Sequence, residues 1–428
     1  MARGKKKESA LTPEEKVAQA LVLDWEHPYK VPENWCWVLF NNISNIRTGK
    51  KDANYGNEYG QYPFFTCAAD PIRCDGYSFD CNAILLAGNG DINNISRYEG
   101  KFEAYQRTYV VEIQPPIDTD LLFYYFKYRW FDYNKDKMFG TAIPYIRLGN
   151  LQTFPIPLPP LAEQQRIVNR IEYLFAKLDE AKEKAQAVLD SFETRKAAIL
   201  HKAFTGELTA KWRAEHGVGL ENWKRTRFDA VAEIKSNLVD PADYQNFPHI
   251  APDNIEKKTG VLLEYHTIAE DGVTSGKHRF YPGQILYSKI RPYLSKLVVV
   301  DFDGLCSADM YPIEAKKDAR CLWYYMLSEE FLEQASSAGS RSVLPKINQK
   351  ELSALMVNLP SNAEEQHEIV RILDSLFAKE QQAKEAAEAV LESIDLLKKS
   401  ILARAFRGEL GTNDPTEESA LELLKAII

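Results

Sequence analysis

Cysteine is scarce in this sequence, and long apolar runs are missing. Six cysteines in 428 residues are too few for a disulfide framework. The seven-residue spacing of Cys67, Cys74 and Cys81 is not that of a zinc site, so we expect reduced thiols. No run approaches the roughly 18 apolar residues that span a bilayer, and the N-terminus lacks the apolar stretch of a signal peptide. These absences predict a cytoplasmic protein with no membrane partner.

Motifs of catalytic sites are missing as well. No phosphate-binding loop of the form G-x-x-x-x-G-K-[ST] occurs, which argues against ATP hydrolysis. The Asn/Asp-Pro-Pro-aromatic motif of enzymes that methylate base amines is also missing. Asp309, Glu314 and Lys316 resemble a nuclease centre, but their spacing is tight and the first half of the chain has no counterpart. We therefore predict no catalytic residues, no metal site and no cofactor in this chain.

An excess of positive charge is also missing, because the net charge is −8. This balance weakens a nucleic-acid interpretation, since phosphate contacts need Lys and Arg. Charge can still be distributed unevenly over a surface, so the net value leaves that interpretation open.

What the sequence does contain is an internal repeat. The hexapeptide AFTGEL at 203–208 returns as AFRGEL at 405–410, an offset of 202 (405 − 203). Upstream of both, apolar residues recur every three or four positions, which is typical of a heptad seam. Only Glu380 interrupts this pattern. The positions expected to pair helices are Ile167, Ile171, Leu174, Leu178 and Val188 in the first copy and Ile369, Leu373, Leu376, Val390 and Ile394 in the second.

Each copy predicts one long helix, over 162–204 and over 363–406. Prolines precede both helices, and Gly206 and Gly408 follow them at positions that favour a left-handed residue. About 42 residues at 1.5 Å each make a rod of roughly 60 Å. We expect the two rods to pair with each other in antiparallel orientation. The alternative is that each packs on its own domain or on a partner's helix.

The segments before the helices repeat more faintly. PENWCWVLFNNISNI (32–46) resembles LENWKRTRFDAVAEI (220–234), and AIPYI (142–146) resembles VLPKI (343–347). Alternating stretches and an aromatic, helix-like run occur in both segments, which favours an α+β fold. The centres differ, which indicates two copies of one module that recognise different things.

The expected organisation follows from these repeats. Capping signals at 12–15 and 414–417 predict a short helix near each terminus. The predicted order is an N-terminal helical extension (1–30), module one (31–160), the first long helix (161–208), a linker (209–220), module two (221–360), the second long helix (361–410) and a C-terminal helical tail (411–428).

Module two contains a basic stretch with interleaved tyrosines at 275–296. Arg and Lys contact phosphates or guanine acceptors, and Tyr adds apolar contacts. The same pattern would also suit a hairpin whose charges face water. The candidate DNA-binding residues here are Lys277, Arg279, Lys289, Arg291, Tyr293, Lys296, Arg341 and Lys346.

Module one offers loops that are rich in glycine, Asn, Gln and basic residues. Such side chains suit hydrogen bonds to base edges, with Asn and Gln favouring adenine. They equally suit ordinary surface turns. The candidates are Lys50, Lys51, Asn89, Asp91, Gln106 and Arg107.

Taken together, these features resemble the specificity subunit of a type I restriction-modification system. AEQQRIVNRIEYLFAKLD in the first helix and AEEQHEIVRILDSLFAK in the second are similar to conserved regions of that family. YSKIRPYLSK resembles a stretch common in its target-recognition domains. The resemblance covers essentially the whole chain.

The resemblance implies an α+β fold, with two pseudo-twofold-related target-recognition domains joined by two long helices that form an antiparallel coiled coil. Each domain would read one half of a bipartite, asymmetric site in double-stranded DNA. The helices would fix the spacer and dock two methyltransferase (modification) subunits, which carry S-adenosylmethionine and methylate adenine. Restriction (motor and nuclease) subunits would join with ATP and magnesium. Two other classes stay open: a coiled-coil scaffold whose heads bind proteins, and a stand-alone nuclease.

Overall fold

The computed structural model describes residues 12–339 and 344–428. The chain divides into two compact units, one up to Lys184 together with Val390–Ile428 and the other Ala185–Ala389. The helices are, in chain order, α1 (Pro13–Ala20), α2 (Thr119–Asn134), α3 (Leu148–Gln152), α4 (Leu161–Asp190), α5 (Phe192–Phe204), α6 (Ala210–His216), α7 (Phe228–Val231), α8 (Ile268–Asp271), α9 (Ala319–Met326), α10 (Glu329–Ala338), α11 (Gln349–Ala354), α12 (Ala363–Ala405) and α13 (Ala420–Ile427).

The first unit contains a six-stranded sheet and a two-stranded ribbon. Its strands are β1 (Cys36–Leu39), β2 (Ser44–Thr48), β3 (Tyr62–Phe65), β4 (Ile72–Cys74), β5 (Phe79–Ala87), β6 (Ile95–Ala104), β7 (Thr108–Ile113) and β8 (Pro155–Leu158). The sheet order is β2-β7-β5-β6-β3-β4, and β1 pairs with β8 in the ribbon. All neighbours are antiparallel except β3 and β6.

Strand β5 is apolar along most of its length because both of its faces are covered. Ile84 and Leu86 belong to the large core around α2, whereas Ala83 and Leu85 belong to a smaller aromatic core on the other face. Asp118 is the N-cap of helix α2, and its side chain accepts hydrogen bonds from the first turn. The aromatic run of the sequence is thus a helix packed on a central strand.

The second unit contains two sheets and a ribbon. Its strands are β9 (Trp223–Arg227), β10 (Ala232–Ile234), β11 (Leu238–Val239), β12 (Pro248–Ile250), β13 (His266–Thr267), β14 (Lys277–Phe280), β15 (Ile285–Ser288), β16 (Leu297–Val299), β17 (Gly304–Cys306), β18 (Met310–Ala315) and β19 (Met356–Pro360). The orders are β10-β18-β15-β16, β11-β14-β17-β12-β13 and β9-β19.

The two modules share one topology. The order β2-β7-β5-β6 of the first unit returns as β10-β18-β15-β16 in the second, with antiparallel neighbours in both. Both modules contain Glu-Asn-Trp, at 33–35 and at 221–223. In each module the strand that begins at or directly after this motif pairs with the strand before the long helix. The predicted α+β fold with a duplicated module is therefore confirmed.

Within the first unit, α4 lies antiparallel to the end of α12. The Asp179 Oδ1 atom is 2.6 Å from the Lys398 Nζ atom, and Arg166, earlier in α4, pairs with Glu417, beyond α12. Near the start of α4, Ile167 and Ile171 are fully buried with Leu402 and Phe406 in the large core.

Within the second unit, α5 lies antiparallel to the first part of α12. The Lys384 ammonium lies over the Phe192 ring, and farther along α5, Leu200 and Phe204 share a core with Ile369 and Leu373. Arg195 donates to Glu380 at 2.8 Å. The glutamate that interrupts the apolar seam therefore has an arginine partner on the facing helix.

The candidate seam residues differ in how deeply they are buried. Five are buried: Ile167, Ile171, Ile369, Leu373 and Ile394. Four are half-buried: Leu174, Leu178, Val188 and Leu376. The exception is Val390, whose side chain stays 38% exposed.

The first long helix is interrupted, although the sequence predicted one helix over 162–204. Ser191 separates α4 from α5, and its hydroxyl donates to the carbonyl of Ala187 at 2.6 Å. Such back-bonding bends helices. The second helix is continuous over 43 residues, and left-handed glycines follow both, Gly206 at φ 83° and Gly408 at φ 73°.

A buried carboxylate anchors the start of each long helix. In the first unit, the Glu163 carboxylate accepts from the Trp35 indole at 2.7 Å and from Asn413 at 2.8 Å. In the second, Glu365 accepts from the Trp223 indole at 3.1 Å and from Arg213 at 2.8 Å. The repeated Glu-Asn-Trp motif thus supplies the indole that binds each helix start.

The terminal helices follow the sequence only in part. Thr12 and Glu15 form the predicted capping box of α1. The sequence predicts that the C-terminal helix begins near Asp414, but α13 begins at Ala420 with Ser419 as its N-cap. Glu417 instead forms a bidentate pair with Arg166, which removes it from a capping role. In the part of the chain that the structure describes, no helix is long and apolar enough to cross a membrane.

Candidate nucleic-acid interface

In the first unit, two separate loops meet at one edge of the sheet. The loop after β5 pairs with the segment before α3 through an antiparallel bridge between Asn89 and Tyr145. The amide of Gly90 donates to the Pro144 carbonyl at 2.9 Å, and Ile146 donates back to Gly88 at 2.9 Å. The candidates Asn89 and Asp91 thereby lie beside residues 139–147.

The other candidates of module one reach the same edge. Lys51 forms a bridge with Tyr105, and the Gln106 amide donates to the Lys51 carbonyl at 2.9 Å. The Gly88 amide donates to the Arg107 carbonyl at 2.8 Å. This hydrogen bond joins the loop at 105–107 to the loop after β5. We call residues 49–52, 88–94, 105–107 and 139–147 loop face 1; it contains all six candidates of module one.

The side chains of loop face 1 differ in availability. Lys50, Asp91, Gln106 and Arg107 are exposed, whereas Asn89 and Lys51 are half-buried. Some of these side chains already have partners nearby. Lys51 lies 4.3 Å from the centre of the Tyr55 ring, Gln106 donates to Asp52 at 2.8 Å, and Asp91 accepts from Asn93. Lys50 and Arg107 are therefore the most accessible cations among these six candidates.

One basic residue of loop face 1 was missed from the sequence. The guanidinium of Arg147 lies 3.8 Å from the centre of the Phe139 ring and donates to the Tyr145 hydroxyl at 3.3 Å. Arg147 directly follows the repeated AIPYI segment, and that position was the available signal. Nearby, Arg47, Lys50, Tyr109 and Leu148 help to line a cavity of about 540 Å³.

The second unit builds the same backbone frame from a different sequence. Ile290 and Lys346 form the bridge, Ile347 donates to the Lys289 carbonyl at 2.9 Å, and Arg291 donates to Pro345 at 2.7 Å. These contacts repeat those of loop face 1 with an offset of 201 (290 − 89). We call residues 289–296 and 344–347 loop face 2.

Five candidates lie on loop face 2, and four of them are cations. Burial and the nearby Lys346 ammonium lower the pKa of Lys289. Lys346 lies 3.3 Å from the Asp309 carboxylate, and Lys296 donates to the Pro252 carbonyl at 2.7 Å. Arg291 is exposed and Tyr293 is 48% exposed.

The two remaining described candidates, Lys277 and Arg279, lie on β14 in the other sheet of the unit. Lys277 is only 5% exposed and its Nζ atom donates to Ser275, so it presents no free cation to DNA. Burial also lowers the pKa of Lys277. Arg279 is half-buried among aromatic rings, at 4.9 Å from the centre of the Tyr281 ring. Arg341 lies outside the described residues.

The candidate nuclease residues are engaged in unrelated contacts. Asp309 pairs with Lys346, Glu314 pairs with Lys235 at 3.1 Å, and Lys316 donates to the Asp229 carbonyl at 2.8 Å. Within residues 12–339 and 344–428, no group of three or more His, Cys, Asp or Glu side chains could hold a metal ion. The geometry of this trio therefore gives no support to a metal-dependent nuclease.

Comparison with known proteins finds the duplication again. The profile of the type I restriction modification DNA specificity domain matches residues 32–189 and, a second time, residues 221–392. The chain is 43% identical over 406 residues to the EcoDI type I restriction enzyme specificity subunit of Escherichia coli, covering 89% of this chain and 90% of that protein. The EcoBI specificity subunit of the same species is 24% identical over 418 residues, covering 89% and 87%.

Solved structures agree at the level of the fold. The crystal structure of the HsdS subunit from Thermoanaerobacter tengcongensis matches with a TM-score of 0.64 and 19% identity, covering 90% of this chain and 99% of that one. A chain from a study of assembly and conformational transition in the type I restriction-modification system matches with a TM-score of 0.61 and 20% identity, covering 89% and 100%. Because the profile matches both modules, and because a relative is 43% identical over most of both chains, this chain belongs to the family of type I restriction-modification DNA specificity subunits.

Proposed function

We propose that each module reads one half of a bipartite, asymmetric site in double-stranded DNA. One observation carries the proposal: the two loop faces share a hydrogen-bonded frame but differ in the side chains mounted on it. Residues 88–91 are Gly-Asn-Gly-Asp, whereas residues 289–292 at the same places are Lys-Ile-Arg-Pro. A constant frame with different base-facing chemistry is what recognition of two unlike half-sites requires.

The side chains of each face suit different contacts. On loop face 1, Asn89 and Gln106 carry amides that pair bidentately with adenine, and Arg107 and Lys50 suit guanine or phosphates. On loop face 2, the group formed by Lys289, Arg291, Tyr293, Lys296 and Lys346 suits the backbone and guanine edges. Arg279, held among aromatic rings, is a further candidate for module two.

The negative net charge is compatible with this proposal if partner subunits make much of the phosphate contact. Each phosphate that the chain itself neutralises should add about −0.9 to the slope of log affinity against log salt. We therefore expect a shallow salt slope for the isolated chain and a steeper one for the complex.

The long helices are proposed to dock two methyltransferase subunits. Their pairing leaves apolar side chains uncovered: Leu396 is 70% exposed, Leu397 45%, and Tyr173 on α4 55%. Exposed apolar side chains on a charged helix support a role in binding other proteins. S-adenosylmethionine would be held by those methyltransferases, and ATP and magnesium by the restriction subunits that join them in the cytoplasm.

The helices are also proposed to set the spacer between the half-sites. A helix of 43 residues is about 65 Å long at 1.5 Å per residue, which exceeds one DNA turn of about 34 Å. We take 31–160 and 221–360 as the two recognition modules, 161–208 and 361–410 as the helical parts, 209–220 as the linker, and 1–30 and 411–428 as helical extensions. This chain supplies recognition and assembly, and its partners supply the chemistry.

The test is to express the chain with its methyltransferase partner and to sequence the modified DNA. A bipartite methylated motif is expected, and replacing module two with that of a relative should change one half of the motif. Methylation without sequence preference, or a motif that survives the replacement unchanged, would instead support a protein-binding scaffold.

A further inference from the structure

Gly90 of loop face 1 and Arg291 of loop face 2 occupy equivalent positions in the shared backbone frame. Gly90 and Arg291 both donate their amides to a proline carbonyl, that of Pro144 at 2.9 Å and that of Pro345 at 2.7 Å. Both have a left-handed backbone, with φ of 71° at Gly90 and 48° at Arg291. The frame therefore demands this conformation at both positions, whichever residue is there.

An arginine is a costly choice for this position. The left-handed region brings the Cβ atom of an L-residue close to its own backbone, which glycine avoids. Arg291 also precedes Pro292, and a residue before proline prefers extended backbone. Two hydrogen bonds hold it there nonetheless, to Pro345 and from the Leu294 amide to the Arg291 carbonyl at 2.9 Å. Strain of this kind accumulates where a side chain has a function.

The side chain of Arg291 makes no contact that would offset this conformational strain by stabilising the fold. It is exposed, and within residues 12–339 and 344–428 its guanidinium has no hydrogen-bond, ion-pair or aromatic partner. At the matching position of module one, a Cβ added to Gly90 would meet no atom within 4 Å. The frame thus directs this side chain into open space beside the cations of loop face 2.

We propose that Arg291 is a specificity-determining residue that reads a guanine in the half-site of module two. This inference rests on the proposed function and deepens it. The guanidinium donates two parallel hydrogen bonds to the guanine N7 and O6 atoms. Module one, with Gly90 at the equivalent place, lacks this contact, so the two half-sites differ at this point of the frame.

A base contact explains the backbone better than a phosphate contact does. Phosphates accept hydrogen bonds from flexible cations in many geometries, and loop face 2 already carries Lys289 and Lys346 for that purpose. A fixed, strained attachment point restricts where the guanidinium can go. Such restriction is useful for a planar, bidentate contact with a single base edge.

The experiment uses the full chain in complex with its methyltransferase partner and measures methylation of a library in which every base pair of the site is varied. The variants are R291G, R291K and, as a backbone control, K258G, since Lys258 also has a left-handed backbone without being glycine and lies outside both loop faces. R291G should fold with an unchanged or higher Tm, because glycine relieves the strain.

With R291G and R291K, we expect discrimination at one G·C pair of one half-site to fall about 5- to 150-fold. The other half-site should be read as before, and K258G should behave like the wild type. R291K matters most, because lysine keeps the charge but loses the bidentate fork.

Three results would overturn the inference while leaving the proposed function intact. The first is an unchanged motif in both arginine variants. The second is relaxed discrimination at an A·T pair. The third is a loss of methylation in R291G that is uniform across sequences and absent in R291K, which means a phosphate contact. If the wild-type complex itself shows no sequence preference, the proposed function fails first and the inference fails with it.

Discussion

Removing the buried carboxylate of Glu365 should destabilise the second unit severely. This side chain is fully buried, and its Oε1 atom accepts hydrogen bonds from Thr209 at 2.8 Å, Arg213 at 2.8 Å and Trp223 at 3.1 Å. Glu365→Ala would leave the Arg213 guanidinium, whose side chain is 10% exposed, without its anion. An uncompensated buried charge costs about 3–5 kcal/mol, so we expect a loss of that size.

Glu163 provides the matched comparison in the first unit. Its carboxylate is equally buried, but it accepts from neutral donors, namely Trp35, Thr412 and Asn413 at 2.7–3.0 Å. Glu163→Ala therefore leaves no unpaired cation. Unsatisfied neutral donors cost about 1–3 kcal/mol, so this variant should be the milder one.

The assay is urea denaturation of both variants, with hydrogen exchange to locate the weakened region. Glu365→Ala should increase exchange in β9 and β19, and Glu163→Ala should increase it in β1 and β8. The double variant Glu365→Ala/Arg213→Ala should be more stable than Glu365→Ala alone. The buried pair is not coupled if Glu365→Ala loses less than about 1 kcal/mol, or if the loss in the double variant equals the sum of the two single losses.

Three further outcomes are expected. Ile171→Asp places an unpaired carboxylate in a fully buried site of the helix pair. Gel filtration should therefore show loss of methyltransferase binding, and both half-sites should lose methylation together. Loss at one half-site alone would contradict a shared role for the helices. A hydrogen bond from His249 lowers the pKa of Asp271 below its ordinary value of 3.8, so the pair stabilises the fold above pH 3.8 and loses this contribution as the pH falls further. Asp271→Asn should therefore reduce the fall in the free energy of unfolding at acid pH, measured by denaturation. An unchanged fall would argue against the pair. Lys316→Ala should leave methylation and restriction by the complex unaltered, and lost DNA cleavage would revive the nuclease interpretation.

The sequence predicted the repeating features well because they are local. Heptad spacing predicts α12 over nearly its whole length, and the glycines at 206 and 408 have the left-handed backbone that their position after a helix suggests. The interruption at Ser191 depends on one hydroxyl that bonds to its own helix, and serine occurs in continuous helices too. Its effect could not be predicted from spacing.

The tertiary contacts were beyond the sequence because they join distant residues. Asn89 and Tyr145 meet only because two loops form a bridge across the end of a sheet. The basic pattern at 275–296 also misleads on one point, since Lys277 and His278 are neighbours on β14 and both are buried. Composition identifies basic residues, but the packing around the strand decides which of them are exposed.

Whether each module reads its own half-site can be measured by exchanging residues 221–360 for the module of a relative and comparing the DNA sites that the complex methylates before and after the exchange. One half of the motif should change, while the other half and its methylated position stay the same. A motif in which both halves change, or neither does, would contradict this expectation.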